Sequence, residues 1–156
     1  APLRLTETLL PLLRGTAQTT QRRVAIVNIA STAGRVSRPR AGAYSASKFA
    51  LIGWSDALYA EEREHGVHVG LVLPGFVKTE GFPAREFLAK ASTRWIVGRP
   101  EEVAEAIVEA GPGGKPERYA PRKYWTAAAL RIMAAPLVRR MIAGGGFTPN
   151  TGGQGD

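Results

Sequence analysis

An α/β fold built on a doubly wound parallel sheet follows from three features of this 156-residue chain. Two short apolar runs, residues 24–29 and 67–73, have the composition of strands buried on both faces. A segment of helical period from Tyr44 to His65 joins them, and a further helical segment opens at Pro100. Strand, crossover helix, strand, helix is the order that lays helices on both faces of a parallel sheet.

Each element has a local reason. Residues 6–14 carry Leu9, Leu10, Leu12 and Leu13 at helix-compatible spacing, preceded by Leu3 and Leu5, and Gly15 is the expected stop. Residues 15–21 read as a polar loop, and residues 24–29 (Val-Ala-Ile-Val-Asn-Ile) as a strand. Residues 34–42, rich in Arg, Pro and Gly, form a loop. The helix from Tyr44 places Phe49, Leu51, Ile52, Trp54, Leu58 and Tyr59 as apolar positions, with Gly66 as its stop. The strand at 67–73 is closed by Pro74 and Gly75. Residues 79–99 are irregular or partly helical, with Phe82, Phe87 and Trp95 as packing points.

Pro100 suits a first helical position, and Glu101 and Glu102 suit the first turn. That helix turns Val103, Ala104, Ile107 and Val108 inward and stops at Gly111. Residues 118–121 read as a short last strand. Residues 124–142 are apolar and basic, and Pro136 interrupts them. Residues 144–156 hold six glycines and read as a disordered tail. The expected organisation is therefore residues 1–121 as the sheet domain, 122–143 as an apolar, basic helical segment and 144–156 as the tail. Because a helix comes first, the alternation is entered in its middle.

Composition narrows the function. With 44% hydrophobic and 22% charged residues, the chain has the make-up of a soluble globular domain. It has no cysteine and only two histidines, His65 and His68, so a thiolate or histidine metal cluster is not expected. No apolar run is long enough to span a bilayer, and the expectation is a cytoplasmic protein. The net charge of +8 raises the question of a nucleic-acid partner, but both halves are equally basic and no nucleic-acid motif accompanies the charge. Residues 115–140 carry seven basic side chains and one acid, Glu117, which reads as a basic surface. His65 and His68 read as cap or surface residues, and Arg35, Arg38 and Arg40 as a solvated loop that could also face an anionic substrate.

Chemistry concentrates in three residues. Tyr44 and Lys48 lie four apart, so a helix puts them on one face. A phenol exchanges its proton more readily near an ammonium, which favours the phenolate. Ser31, at the carboxyl end of the first strand, stands where open α/β sheets bind ligands, and its hydroxyl can hold a carbonyl or alkoxide oxygen.

Three stretches, Val27-Asn-Ile-Ala-Ser-Thr-Ala-Gly34, Ala43-Tyr-Ser-Ala-Ser-Lys-Phe-Ala50 and Leu73-Pro-Gly-Phe-Val-Lys-Thr79, resemble in order and spacing the second half of the short-chain dehydrogenases/reductases. The resemblance is close over residues 3–80 and looser over 100–121. It implies a Rossmann-like doubly wound sheet, incomplete at its N-terminal side, and an oxidoreductase that moves hydride between NAD or NADP and a small-molecule carbonyl/alcohol pair. Tyr44 would be the acid/base. Lys48 would bind the nicotinamide ribose and favour the phenolate, and Ser31 would orient the substrate oxygen. Tyr44, Lys48, Pro74, Gly75, Val77 and Thr79 would contact the cofactor, and Phe82 and Trp95 would fall in a variable substrate lid. The helix from Tyr44 to His65 would form half of a homo-oligomer interface.

The glycine-rich strand–turn–helix that cradles pyrophosphate is absent from the sequence, as is the Asn-Asn-Ala-Gly motif. Asn28 reads instead as a structural strand asparagine. The expectation is a fragment with exposed edges and little activity by itself. A second reading is a non-catalytic remnant that associates through the Tyr44–His65 helix or, through residues 124–142, with a membrane surface.

Overall fold

The computed structural model describes residues 2–37, 39–78 and 96–143. Its centre is a three-stranded sheet in the order β1–β2–β5, all parallel, with β1 spanning Val24–Ile29, β2 Val67–Pro74 and β5 Glu117–Ala120. Val24 to Ile29 run in register against Val67 to Val72, and Leu71 to Pro74 against Glu117 to Ala120. Two short strands, β3 (Phe76–Val77) and β4 (Val97–Gly98), pair in parallel beside it. β4 lies within residues 79–99, expected from the sequence to be irregular or partly helical, and β3 directly after the expected strand end at Pro74 and Gly75; two-residue strands leave no periodic signal.

Helix α2 (Gly42–Glu62) covers one face of the sheet and α3 (Pro100–Ala110) the other. The alternation of β2 divides its side chains between them. Leu71 and Leu73 join Ala30 and Ile52 in a core cluster under α2, whereas Val72 joins Ala106, Ala110 and Ala120 under α3. Helices on both faces of a parallel sheet make the fold doubly wound. Asn28 is buried on β1, and its Nδ2 donates to Ser55 Oγ of α2 at 2.9 Å, the structural role expected of it. Gly70 lies where the end of α3 crosses β2. A Cβ there would stand 2.1 Å from the Ala110 carbonyl oxygen, so only glycine allows that approach. His68 Nε2 lies 2.8 Å from the same oxygen.

Helix ends follow the sequence in most places. After α2 a short 3-10 turn, Arg63–His65, leads to Gly66, which takes a φ of +74° and stops the helix. At α3, the Glu102 carboxylate accepts from the Arg99 backbone N–H at 2.8 Å, Pro100 stands in the first turn and Gly111 ends the helix. The C-terminal segment divides into α4 (Tyr124–Met133) and α5 (Ala135–Ala143). The break precedes Pro136, whose ring would clash with a carbonyl one turn earlier in a continuous helix.

Helix α1 departs from expectation. It spans Pro2–Thr19 and passes through Pro11 and Gly15, so residues 15–19 are helical rather than a loop. A glycine in a helix costs about 1 kcal/mol, which tertiary contacts outweigh. Here α1 packs along β1 and β2, and Arg14 makes a two-pronged ion pair with the buried Glu62, with contacts of 2.6 and 2.8 Å. That pair holds the Glu62 carboxyl below its ordinary range, the Arg14 hydrogen bond being the largest cause. The outer side of α1 leaves Leu3, Leu5, Leu9 and Leu12 exposed.

Candidate active site

Ser31 follows β1 directly and caps the 3-10 turn Thr32–Gly34. Its Oγ accepts from the Ala33 N–H at 3.1 Å and reaches the Pro74 carbonyl at 3.4 Å, so the hydroxyl joins the carboxyl ends of β1 and β2. Gly34 then lets the turn press against α2. A Cβ at Gly34 would stand 2.8 Å from the carbonyl of Lys48 and 2.5 Å from Ile52 Cδ1. This close approach seats the Ser31 turn on the first two turns of α2, which carry Tyr44 and Lys48.

Tyr44 is 45% exposed. Lys48 Nζ donates to the Ile29 carbonyl at 3.2 Å and lies 5.8 Å from the centroid of the Tyr44 ring. The helical spacing thus puts both side chains at the end of β1, on the side where Ser31 stands. Ser31, Tyr44 and Gly75 line one cavity of about 350 Å³, together with residues of the β1–α2 loop, β5, α4 and α5. Lys48, Pro74 and Val77 do not line it: Lys48 Nζ is bound at the Ile29 carbonyl beside Tyr44, Pro74 ends β2, and Val77 is in β3. Thr79 lies outside the described residues, as do Arg38, Phe82, Phe87 and Trp95.

Several cavity residues escape the sequence reading. Tyr124, the first residue of α4, donates its hydroxyl to the Ile96 carbonyl at 2.7 Å and accepts from the Phe76 N–H at 3.4 Å. Its ring lies against Gly75, where a Cβ would come within 2.5 Å of it. Gly75 is therefore required by the aromatic ring behind it. Arg35 is half-buried and paired with Glu117 at 2.7 Å, so the solvated-loop reading of this arginine is wrong: β5 brings a carboxylate to it. Tyr119 completes the group; burial first, then its hydrogen bond with Glu117 and that carboxylate's charge, push its phenol up and keep it neutral. No local pattern announces this trio, since Arg35 and Glu117 meet only through the pairing of β5 with β2. A bland amphipathic spacing at 124–142 was the available signal for the cavity's far wall.

Residues 1–87 match the family described as short chain dehydrogenase, and the chain belongs to that family. Among curated relatives, an uncharacterized oxidoreductase of Thermotoga maritima is 38% identical over 94 residues, covering 53% of this chain and 38% of the relative. The ketoacyl reductase HetN of Nostoc is 37% identical over 112 residues, covering 70% of this chain and 36% of the relative. The chain thus spans little more than a third of the length of these proteins. Among solved structures, a short chain dehydrogenase from Burkholderia cenocepacia in complex with NADP superposes with a TM-score of 0.71 at 25% identity, over 95% of this chain and 55% of that one. A short-chain dehydrogenase from Streptomyces avermitilis does so with a TM-score of 0.64 at 27% identity, over 95% and 59%.

Proposed function

We propose that this chain carries the proton-transfer half of an oxidoreductase site, which moves hydride between NAD or NADP and a carbonyl/alcohol pair. The observation that carries the reading is that Ser31 and Tyr44 line one cavity at the carboxyl ends of β1 and β2, with the Lys48 ammonium 5.8 Å from the Tyr44 ring centroid. Membership of the short chain dehydrogenase family and the NADP named for the Burkholderia relative support it.

The donor set suits the nicotinamide-ribose end of such a cofactor. An ammonium has three N–H donors. One of Lys48's goes to Ile29, which leaves two for ribose hydroxyls. Among the described residues no glycine-rich turn joins a strand to a helix, so a pyrophosphate would find no such cradle here. When bound, the cofactor would supply or accept the hydride.

The chain's own residues handle the substrate oxygen. Ser31 Oγ, at the end of β1, would turn its one proton from the long contact with the Pro74 carbonyl to hold the substrate's carbonyl oxygen by a hydrogen bond. Tyr44 gives that oxygen its proton in reduction and takes it back in oxidation, and positioned proton transfer of this kind contributes about 10²–10⁴-fold. Lys48 fixes the ribose and lends positive charge beside the phenol. Pro74 ends β2, Gly75, Val77 and Thr79 come after it in the sequence, and the four would border the nicotinamide. Two copies would associate through α2, where Phe49 is exposed.

Two measurements test the proposal. In a polypeptide that joins this chain to a glycine-rich strand–turn–helix half, Tyr44→Phe should abolish most NAD(P)H-dependent carbonyl reduction while cofactor affinity stays within a few-fold; retained turnover would refute the assignment. Calorimetry of the 156-residue chain alone should give weak NAD(P)H binding or none, and tight one-to-one binding would contradict the half-site reading.

A further inference from the structure

The cavity that holds Ser31 and Tyr44 has two unlike sides. The β1–α2 loop and β5 bring Ser31, Arg35, Ser37 and Tyr119 to it among apolar neighbours, whereas Ala127, Ala128 and Leu130 of α4 and Val138, Met141 and Ile142 of α5 form an aliphatic wall, with Thr126 as the polar residue beside them. None of the six wall residues carries a polar side-chain group that could pair with a charge. The described cations at the cavity are already engaged: Arg35 with Glu117 at 2.7 Å, and Lys123 with a partner of its own. Tyr119, also at the cavity, is neutral.

A carboxylate or phosphate entering this space would leave water for an aliphatic wall and, among the described residues lining the cavity, would have to compete with Glu117 for Arg35 or with the existing partner of Lys123. Burying an unpaired charge is far costlier than burying hydrocarbon, which is favourable at such a wall. The oxygen-handling groups stand on the other side, at Ser31 and Tyr44. A substrate that satisfies both sides has one neutral oxygen function and an extended apolar body.

Resting on the oxidoreductase reading above, we infer that the substrate is a neutral aliphatic or similarly apolar ketone or aldehyde, or the matching alcohol, whose hydrocarbon body lies on the α4–α5 wall. At roughly 30 Å³ per small group, the cavity of about 350 Å³ takes on the order of a dozen heavy atoms. Each buried methylene strengthens binding about fourfold until the wall is covered. The α4–α5 hairpin is thereby the specificity element of the site.

The test is calorimetric binding of 2-alkanones, from 2-butanone to 2-tetradecanone, to the 156-residue chain without nicotinamide. Decanoate and hydroxyacetone serve as charged and polar comparisons. Affinity should climb by about fourfold per methylene and level off near a dozen heavy atoms, with decanoate at least tenfold weaker than the matching ketone. Ala127 is exposed and lines the cavity, so Ala127→Trp can narrow the space while the fold is kept. It should shorten the plateau by several carbons at unchanged melting temperature. Met141→Glu, at a second exposed wall position, should weaken every long ketone at least tenfold.

A flat chain-length dependence, decanoate binding as well as the ketone, or indifference to both variants would overturn the inference. Turnover of the same series with NADPH, measured in the joined polypeptide, separates it from the reading it rests on. Ketone binding with no turnover leaves the ligand class standing and removes hydride transfer. Turnover confined to short polar or charged carbonyls does the reverse.

Discussion

Lys48 Nζ donates to the backbone carbonyl of Ile29 at 3.2 Å, so the cation of α2 is anchored to the last residue of β1. The bond fixes the ammonium beside Tyr44 before any ligand arrives. Lys48→Met keeps the aliphatic stem and removes the donor. It should cost about 0.5–1.5 kcal/mol of stability, read from urea denaturation, and a larger share of activity than of stability. A variant that lost stability alone, with turnover intact in the joined polypeptide, would show the lysine to be only a strut.

Gly34 makes the same junction from the other side. Its missing Cβ lets the Ser31 turn sit on the Lys48 carbonyl, and Gly34→Val forces backbone apart. A destabilisation of about 1–3 kcal/mol is expected from such overpacking. Chemical denaturation measures it, and an unchanged midpoint would mean that the close approach is not needed.

Ser45 follows Tyr44 and is 2% exposed, with its Oγ lacking a hydrogen-bond partner. A buried hydroxyl without a partner is a cost of about 1–3 kcal/mol. Ser45→Ala should therefore raise stability by about 1 kcal/mol, a shift upward in melting temperature that most substitutions do not give. A fall on substitution would show that the hydroxyl finds a partner in solution.

Leu73 is fully buried in β2, beneath α2. Leu73→Ala should cost about 2–5 kcal/mol through lost burial and the cavity left behind. Circular dichroism during denaturant titration reads this, and a loss below 1 kcal/mol would place the core elsewhere.

The pH dependence has a definite sign on each side. Glu62 and Glu109 are held below their ordinary value of 4.5, chiefly by hydrogen bonds from Arg14 and Arg118 respectively. Their folded forms bind protons more weakly than the unfolded chain, so their contribution is present above pH 4.5 and is lost as pH falls below it. Tyr119 is raised above its ordinary 10.0, mainly by burial, so its contribution is present below pH 10 and lost as pH rises beyond it. Stability should be level between these limits, and Glu62→Gln should flatten the acid limb. An acid limb unchanged by that variant would assign it to other carboxylates.

Much of this was legible because its signals are local. Apolar runs fixed β1 and β2, and the four-residue spacing put Lys48 and Tyr44 on one side of α2. Gly66 and Pro100 marked helix ends through their own backbone chemistry. What escaped depends on distant partners. Helix α1 continues through Gly15 because β1, β2 and Glu62 receive it, and Arg35 is neutralised by a strand that begins 82 residues later. The cavity's apolar wall belongs to α4 and α5, whose spacing alone could not say what they cover.

Proton transfer by Tyr44, at a cavity it shares with Ser31, is the step on which the proposed reaction depends. Its most direct test is kcat/KM for NADPH-dependent reduction of a long 2-alkanone by the joined polypeptide, wild type against Tyr44→Phe. A fall of about 10²–10⁴-fold is expected, with NADPH affinity unchanged within a few-fold. A ratio near one would contradict it.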